Sequence, residues 1–389
     1  MRHLYLNKTQ FEAEINKCLH CSAKPCQAAC PVHCSPCDFI ALAKENRLAE
    51  AAQIIREQNP LGHCCGLGCP DHLCQRACIR GKIDVPVNIP AIQAYILNQT
   101  GSEVLNLPAL NGKKVAVIGS GPAGLGAAWQ LLKLGYEVTV LEKEAKIGGA
   151  MALIPEFRLP YEVIEKDWRF IAQQGRISSI LNKEIENPED LIAQNFSGVV
   201  CAFGLQKSID LNIEGEEFAV SYIDYLKHPE DYATKGKVAI VGGGNVAADC
   251  AFTAEELGAK EVSLFIRRKI FNMKVTPKEM NILFEKKIHL IPTTRLCKVQ
   301  KEDNNFNLFT CSTEQTEKGF QDIENSIIER KGFSLIIKAI GGEKTEVKNQ
   351  SSVIYAGDVK TGASTIVEAV ASGIDAALTL HQNLIGERI

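Results

Sequence analysis

Residues 113–144 read KKVAVIGSGPAGLGAAWQLLKLGYEVTVLEKE. An apolar run, a glycine-rich turn, a stretch with helical spacing and a second apolar run, in that order, describe a βαβ unit. The turn is Gly119-x-Gly121-x-x-Gly124. Its glycines permit a tight bend, close approach of backbone to a pyrophosphate, and close helix–strand packing. Pro122 and Ala123 complete the turn, and the helix that opens there aims its N–H groups at the phosphates. Glu142, at the end of the second run, is placed to accept hydrogen bonds from a ribose, with Lys143 beside it. A single GxGxxG is weak evidence. One that follows a strand, opens a helix and ends in an acid is much stronger.

The same plan returns about 120 residues later in KGKVAIVGGGNVAADCAFTAEELGAKEVSLFIRR (235–268). Here the turn is Gly242-x-Gly244-x-x-Ala247, an allowed variant, with Gly243, Asn245 and Val246 as further candidate contacts. Where an acid would end the second strand, Arg267 and Arg268 stand instead, and Lys274 follows. Two guanidinium groups suit a dianionic 2′-phosphate, so this turn is expected to bind NADPH. A solvated basic strand end is the plainer alternative. The first turn, with its acid, suits FAD. Near the C-terminus, VIYAGDVKTGASTIVEAVASGIDAA (353–377) places Gly357-Asp358 between an apolar strand and a helix. Asp358 is expected at the ribityl hydroxyls and Thr365 at the helix start facing the flavin; a simple strand–helix turn is the alternative.

The chain has 389 residues, room for two or three domains. With 46% hydrophobic and 23% charged residues and a formal charge of −3, it gives no electrostatic case for nucleic acid or anionic membrane. No apolar run resembles a signal peptide or approaches a membrane span, so a cytoplasmic protein is expected. The first 105 or so residues look helical. Thr9 and Glu12 have capping-box spacing, and DFIALAKENRLAEAAQIIREQ (38–58) reads as a helical hairpin stopped by Asn59-Pro60. NIPAIQAYIL (88–97) reads as another helix and GSEVLNLPALNG (101–112) as a linker. The polar stretch 301–319 fits exposed strands or a hairpin.

Fifteen cysteines in such a chain argue against a disulfide framework. Eleven lie between Cys18 and Cys78; Cys201, Cys250, Cys297 and Cys311 read as ordinary small residues. The first group is Cys18-x2-Cys21-x4-Cys26-x3-Cys30-Pro31, a ferredoxin-type run with one widened gap. The second is Cys64, Cys65, Cys69, Cys74 and Cys78. Together they can supply two [4Fe-4S] clusters; structural zinc is the alternative. Cys34-x2-Cys37 lacks the βαβ context of a redox motif and is expected to be a spare pair near a cluster. His20, His33, His63 and His72 are expected at the surface or behind the ligands. The fold class that emerges is α/β: an N-terminal α-helical ferredoxin-like iron–sulfur domain followed by two Rossmann-type nucleotide-binding domains.

The motif set resembles the NAD(P)H-oxidising FAD and iron–sulfur module shared by the glutamate synthase small subunit and dihydropyrimidine dehydrogenase, where it is the N-terminal region or a separate bacterial subunit. The resemblance spans nearly the whole chain, through the first cysteine run, NPLGHCCGLGCPDHLCQRAC (59–78), GSGPAG (119–124), EKEAKIGG (142–149), IPEFRLP (154–160), GGGNVAADC (242–250) and AGD (356–358). It implies one cluster on Cys18, Cys21, Cys26 and Cys78, and a second on Cys30, Cys69, Cys74 and the amide oxygen of Gln93. It also implies Gly149 and Arg158 against the flavin, and Ala339, Ile340 and Gly341 beside the nicotinamide nucleotide. The implied domains are 1–108 for the clusters, 109–206 with 350–389 for FAD, and 207–349 for NADPH, inserted in the FAD domain.

The NPLG run, the long Cys69–Cys74 gap and RRKIFNMKVTPKEM (267–280) resemble the dihydropyrimidine dehydrogenase branch, although that gap is one residue shorter than the branch leads one to expect. The implied activity is electron transfer from NADPH through FAD and the clusters to a partner. That partner is a pyrimidine-reducing subunit, an amidotransferase-type subunit or ferredoxin. A flavin belongs between a hydride donor and one-electron carriers, and no side chain is singled out as catalytic. The competing class is a sensor that binds nucleotide and metal without turnover.

Overall fold

The computed structural model describes residues 4–70, 73–101, 103–317 and 319–386. His72, Ser102 of the predicted linker and Lys318 of the polar stretch lie outside the described residues. The first helix, α1 (Lys8–Asn16), is capped by Asn7, two residues before the expected cap Thr9. The Asn7 side chain accepts from the Gln10 N–H, and the Gln10 side chain accepts from the Asn7 N–H, both at 2.9 Å. Asn is among the strongest N-caps, and this reciprocal pair leaves Thr9 inside the first turn.

Next come α2 (Pro25–Ala28), α3 (Pro36–Lys44) and α4 (Leu48–Gln58). The last two are the predicted hairpin, reversed at Asn46 with φ +60°. Asn59 is extended and ends it. Helices α5 (Gly62–Gly68) and α6 (Ile89–Gln99) follow. Residues 103–113 carry no helix or strand, as a linker should.

The first nucleotide fold contains β1 (Lys114–Ile118), α7 (Pro122–Lys133), β2 (Glu137–Leu141), α8 (Tyr161–Ala172), β3 (Ile177–Ile180), α9 (Glu189–Ala193) and β4 (Gly198–Cys201). The inserted stretch runs β5 (Val220–Ser221), α10 (Tyr222–Lys227), β6 (Lys237–Val241), α11 (Asn245–Glu256), β7 (Glu261–Phe265) and α12 (Pro277–Glu285). It continues through β8 (His289–Ile291), β9 (Thr294–Glu302), β10 (Asn305–Thr316), β11 (Gly319–Asp322) and β12 (Ile328–Lys338). The chain then returns with β13 (Val353–Tyr355), α13 (Asp358–Thr361) and α14 (Ile366–Ile385).

The first sheet has the order β13-β4-β1-β2-β3 and every pairing is parallel. Its central strands are near-continuous Val/Ile runs because helices cover both faces. The second sheet has the order β11-β10-β12-β6-β7-β8, parallel from β12 to β8 and antiparallel where β10 joins. The polar stretch 301–319 supplies the turn at Asp303 and the second strand of the β9–β10 hairpin, and its residues Leu308, Thr310, Cys311 and Thr313 are buried.

Packing divides the chain into two compact units, Met1–Leu205 with Lys344–Ile389, and Gln206–Glu343. In the first, one apolar core runs from Phe11, Ile55 and Ile96 on the cysteine-bearing helices to Val117, Trp129, Phe170 and Val370 of the nucleotide fold. Burying each such side chain contributes on the order of 2 kcal/mol. The Trp129 indole also donates to the Glu57 carbonyl at 3.2 Å. In the second unit, the two ends of the insertion lie side by side: the Glu343 N–H donates to the Lys207 carbonyl at 2.9 Å.

Candidate functional site

Two cavities collect the N-terminal thiols. The first is lined by Cys18, Cys21, Cys26 and Cys78, with Cys37, Ile40 and Val87 behind them. Cys30, Cys69, Cys74 and Gln93 line the second, with Cys34 and Cys65. Each set of four implied ligands is thus gathered in one place, although Cys78 is 52 residues from Cys26, its nearest implied partner in the first cavity. Cys34 and Cys37 do not form a pair; they are divided between the cavities because α3 begins between them. Cys64 is fully buried and lines neither.

Burial pushes the Cys26 and Cys74 thiols up to about 12 and those of Cys34 and Cys64 well above the ordinary range, and the hydrogen bond with Cys65, then burial, does the same for Cys69. Such thiols stay protonated unless a nearby positive centre compensates the thiolates. An iron–sulfur cluster, ligated by thiolates, fits this donor set.

Gln93 on α6 is buried, and its amide N–H donates to the Gly62 carbonyl at 2.5 Å. Its amide oxygen accepts from the Cys34 thiol at 4.0 Å, and both residues line the second cavity. Gly62 opens α5, which runs to Cys69. The same helix start is held by Asp167 of α8, which accepts from the N–H groups of His63 (3.3 Å) and Cys64 (2.9 Å). Burial raises the Asp167 carboxyl to about 7 against these bonds. His63 is buried rather than superficial, bonded to the Tyr5 hydroxyl at 2.9 Å, and burial lowers it to about 4. His20 and His33 are exposed. Asp167 was not legible beforehand, since nothing local marks a residue whose partner lies 103 positions away.

At the first turn, Gly119 has φ +97°, and a Cβ on Gly124 would meet the Gly119 carbonyl oxygen at 1.9 Å. No other residue fits either place. Pro122 is the first residue of α7 and Ala123 is buried beneath the turn. Glu142 is buried, and its carboxylate accepts from the Ser120 N–H (2.8 Å), the Ser120 hydroxyl (2.5 Å) and the Glu144 N–H (2.9 Å). Two carboxylate oxygens offer about four lone-pair sites, so one remains for a ribose hydroxyl. The 142–149 loop folds back on the turn, bringing Gly149 against Gly121. Lys143 is exposed and Arg158 half-buried. From the C-terminal stretch, Gly357 caps α13 and Asp358 accepts from the Ser364 hydroxyl at 2.6 Å. Burial raises the Asp358 carboxyl. Thr365 caps α14 in a capping box with Glu368.

In the second unit, Gly242 and Gly243 form the turn after β6 and Gly244 caps α11. Asn245 and Val246, both exposed, open that helix. The Lys274 N–H donates to the Gly243 carbonyl at 3.0 Å, bringing Lys274 to the turn. Arg267 and Arg268 follow β7, and the Phe320 ring of β11 lies under both, 5.1 and 5.7 Å from centroid to guanidinium carbon. Stacking on an aromatic face orients a guanidinium while leaving its edge donors available. Ala339, buried, and Gly341 follow β12, with Ile340 between them partly exposed. Among the described residues no helix is long and apolar enough to cross a membrane.

Residues 2–104 match the family of dihydropyrimidine dehydrogenase domain II, 4Fe-4S cluster, and residues 113–373 match pyridine nucleotide-disulphide oxidoreductase. The NAD-dependent dihydropyrimidine dehydrogenase subunit PreT of Escherichia coli K12 is 32% identical over 96% of this chain and 94% of its own length. The NADP(+)-dependent formate dehydrogenase subunit beta of Moorella thermoacetica is 28% identical over 92% of this chain and 60% of its own. Mycobacterium tuberculosis FprA in complex with NADPH superposes with a TM-score of 0.62 at 16% identity, covering 70% of this chain and 85% of FprA, a likeness of fold.

Proposed function

The chain belongs to the pyridine nucleotide-disulphide oxidoreductase family, and we propose that it is the NADPH-oxidising subunit of a two-component reductase. It is an NAD(P)H-dependent oxidoreductase carrying iron–sulfur, flavin and pyridine-nucleotide sites. The convergence of Cys18, Cys21, Cys26 and Cys78 in one cavity, and of Cys30, Cys69, Cys74 and Gln93 in another, carries the reading of two [4Fe-4S] clusters. When bound, the flavin and the clusters supply the step from a two-electron hydride donor to one-electron carriers.

The chain's own residues bind and orient. Gly119, Gly121, Pro122, Ala123 and Gly124 present a turn and a helix N-terminus to a pyrophosphate. Glu142 accepts from ribose, Lys143, Gly149 and Arg158 close the site, and Gly357, Asp358 and Thr365 meet the ribityl end. In the inserted unit, Gly242, Gly243, Gly244, Asn245 and Val246 receive the second nucleotide. Arg267, Arg268 and Lys274 take its 2′-phosphate, and Ala339, Ile340 and Gly341 its nicotinamide end. The PreT relatives are named NAD-dependent; the stacked arginine pair favours the phosphorylated cofactor here. The many free thiols call for a reducing compartment, which supports a cytoplasmic location.

The substrate site then belongs to a partner, a pyrimidine-reducing subunit. Anaerobic affinity purification followed by iron, sulfide and flavin analysis tests both halves. Expected are eight irons and one FAD per chain and a co-purifying pyrimidine-reducing chain. Four irons would remove one cluster. An amidotransferase-type partner, or a lone chain that reduces ferredoxin, would replace the partner assignment.

A further inference from the structure

Cys297 and Cys311 read from the sequence as ordinary small residues, yet their sulfurs lie 2.7 Å apart. Cys297 is on β9 and Cys311 on β10. Lys298 pairs with Phe309 and Leu296 with Thr310, so Cys297 is the extra residue of a β-bulge. A bulge re-aims a side chain, and here it directs Cys297 to the sulfur of the next strand. Both are free thiols, Cys297 half-buried and Cys311 buried. A disulfide bond of about 2.0 Å would need only a small closure between them.

The surroundings suit exchange chemistry. The Arg295 guanidinium, held by Asp322 through its Nε at 2.8 Å and its Nη2, lies beside the pair, while burial, then the Cys297 and Asp322 neighbours, push the Cys311 thiol up to about 12. The Cys311 thiol interacts with Asp322, and the Cys297 thiol donates to the Arg295 carbonyl at 3.6 Å. Asp322 completes a trio of ligand atoms within 4.8 Å of one another. A cation there would have only three protein ligands, one of them already engaged by a guanidinium, which disfavours zinc. Asp322 also lies two residues beyond Phe320, on the strand that stacks beneath Arg267 and Arg268.

We propose that Cys297 and Cys311 are a thiol–disulfide modification site for low-molecular-weight disulfides, with Cys297 as the attacking thiol and Cys311 as the resolving one. Cys297, as thiolate, attacks one sulfur of R–S–S–R; that bond breaks and one R–SH leaves with the proton. Cys311 then attacks the Cys297 sulfur of the mixed disulfide. The Cys297–Cys311 bond forms, and the second R–SH leaves with the Cys311 proton. Two protein thiols are oxidised and one small disulfide is reduced to two thiols. The small disulfide is the only oxidant needed.

The test uses the anaerobically purified full chain with its cofactors, incubated with oxidised glutathione, alkylated and digested for mass spectrometry. Expected is a cross-linked peptide pair joining Cys297 to Cys311, with iron and flavin content unchanged. Cys311→Ser should retain one glutathione on Cys297. Cys297→Ser should carry none and leave Cys311 alkylatable. The proposal is overturned if both thiols remain alkylatable in the treated wild type, or if Cys311→Ser traps no adduct. Protection of both thiols that a chelator abolishes before any oxidant is added would equally overturn it, in favour of a metal.

Discussion

Asp167 accepts a hydrogen bond from the Cys64 N–H at 2.9 Å, so a carboxyl of the nucleotide fold caps the helix that delivers Cys69 to the second cavity. The contact joins two stretches with separate sequence signatures. Next to it, His63 is held neutral by burial.

These two groups oppose one another in their dependence on pH. Asp167 is raised from 3.8 to about 7, so its contribution is fully present below pH 4 and is lost as pH rises to about 7. His63 is lowered from 6.5 to about 4, so its contribution is present above pH 6.5 and is lost as pH falls to about 4. Each is on the order of 3 to 4 kcal/mol at most, and across pH 4–6.5 they offset. Asp167→Asn is expected to unmask His63: the melting temperature of the holoprotein should fall between pH 7 and pH 5, where the wild type stays nearly flat. A variant whose profile parallels the wild type would remove Asp167 from this balance.

Gln93→Ala removes the amide oxygen from the second cavity and the donor to the Gly62 carbonyl. One cluster's electron paramagnetic resonance signal should change or vanish while FAD content stays at wild-type level. Gln93→Glu, which keeps an oxygen at that position, should retain more iron than the alanine variant. Two unaltered cluster signals in Gln93→Ala would take Gln93 out of the ligand set.

Arg268→Ala should raise the KM for NADPH about 10-fold or more and leave that for NADH within about twofold, since a charge-assisted hydrogen bond is worth about 1.5–3 kcal/mol. Phe320→Leu should raise it by a few-fold through loss of the stacking that orients both guanidinium groups. Steady-state kinetics with the two nucleotides decides the matter. Equal changes for both would mean that the arginines do not read the 2′-phosphate.

A Cβ on Gly373 of α14 would meet the Ala123 carbonyl oxygen at 1.9 Å, so the helices of the first turn and the C-terminus pack backbone to backbone. Gly373→Ala is expected to lower the melting temperature by several degrees and to weaken FAD retention. Full FAD occupancy with an unchanged melting temperature would show that α14 can shift without consequence.

What could be read in advance was whatever is local. Both glycine turns are complete within a few dozen residues, and each turn glycine follows from the space around its own backbone. The cysteine runs announced metal through spacing alone. The first helix was legible but its cap was not, because Asn7–Gln10 and Thr9–Glu12 have equivalent patterns and only packing selects between them. Cys34 and Cys37 looked like a pair until α3 started between them. Asp167, Phe320 and the Cys297–Cys311 contact were hidden for a different reason. Each depends on a partner brought near by tertiary register, and in the last case on one extra residue in a strand.

The side-by-side ends of the insertion, Lys207 and Glu343, make the inserted unit a cassette that enters and leaves through one narrow doorway. The N-terminal helices have no such doorway, since their apolar core is continuous with that of the first nucleotide fold. Under the proposed assignment of NADPH to the inserted unit, evolution, or a protein engineer, can exchange the cofactor preference of this chain by replacing one cassette. The electron-carrying remainder must be inherited whole.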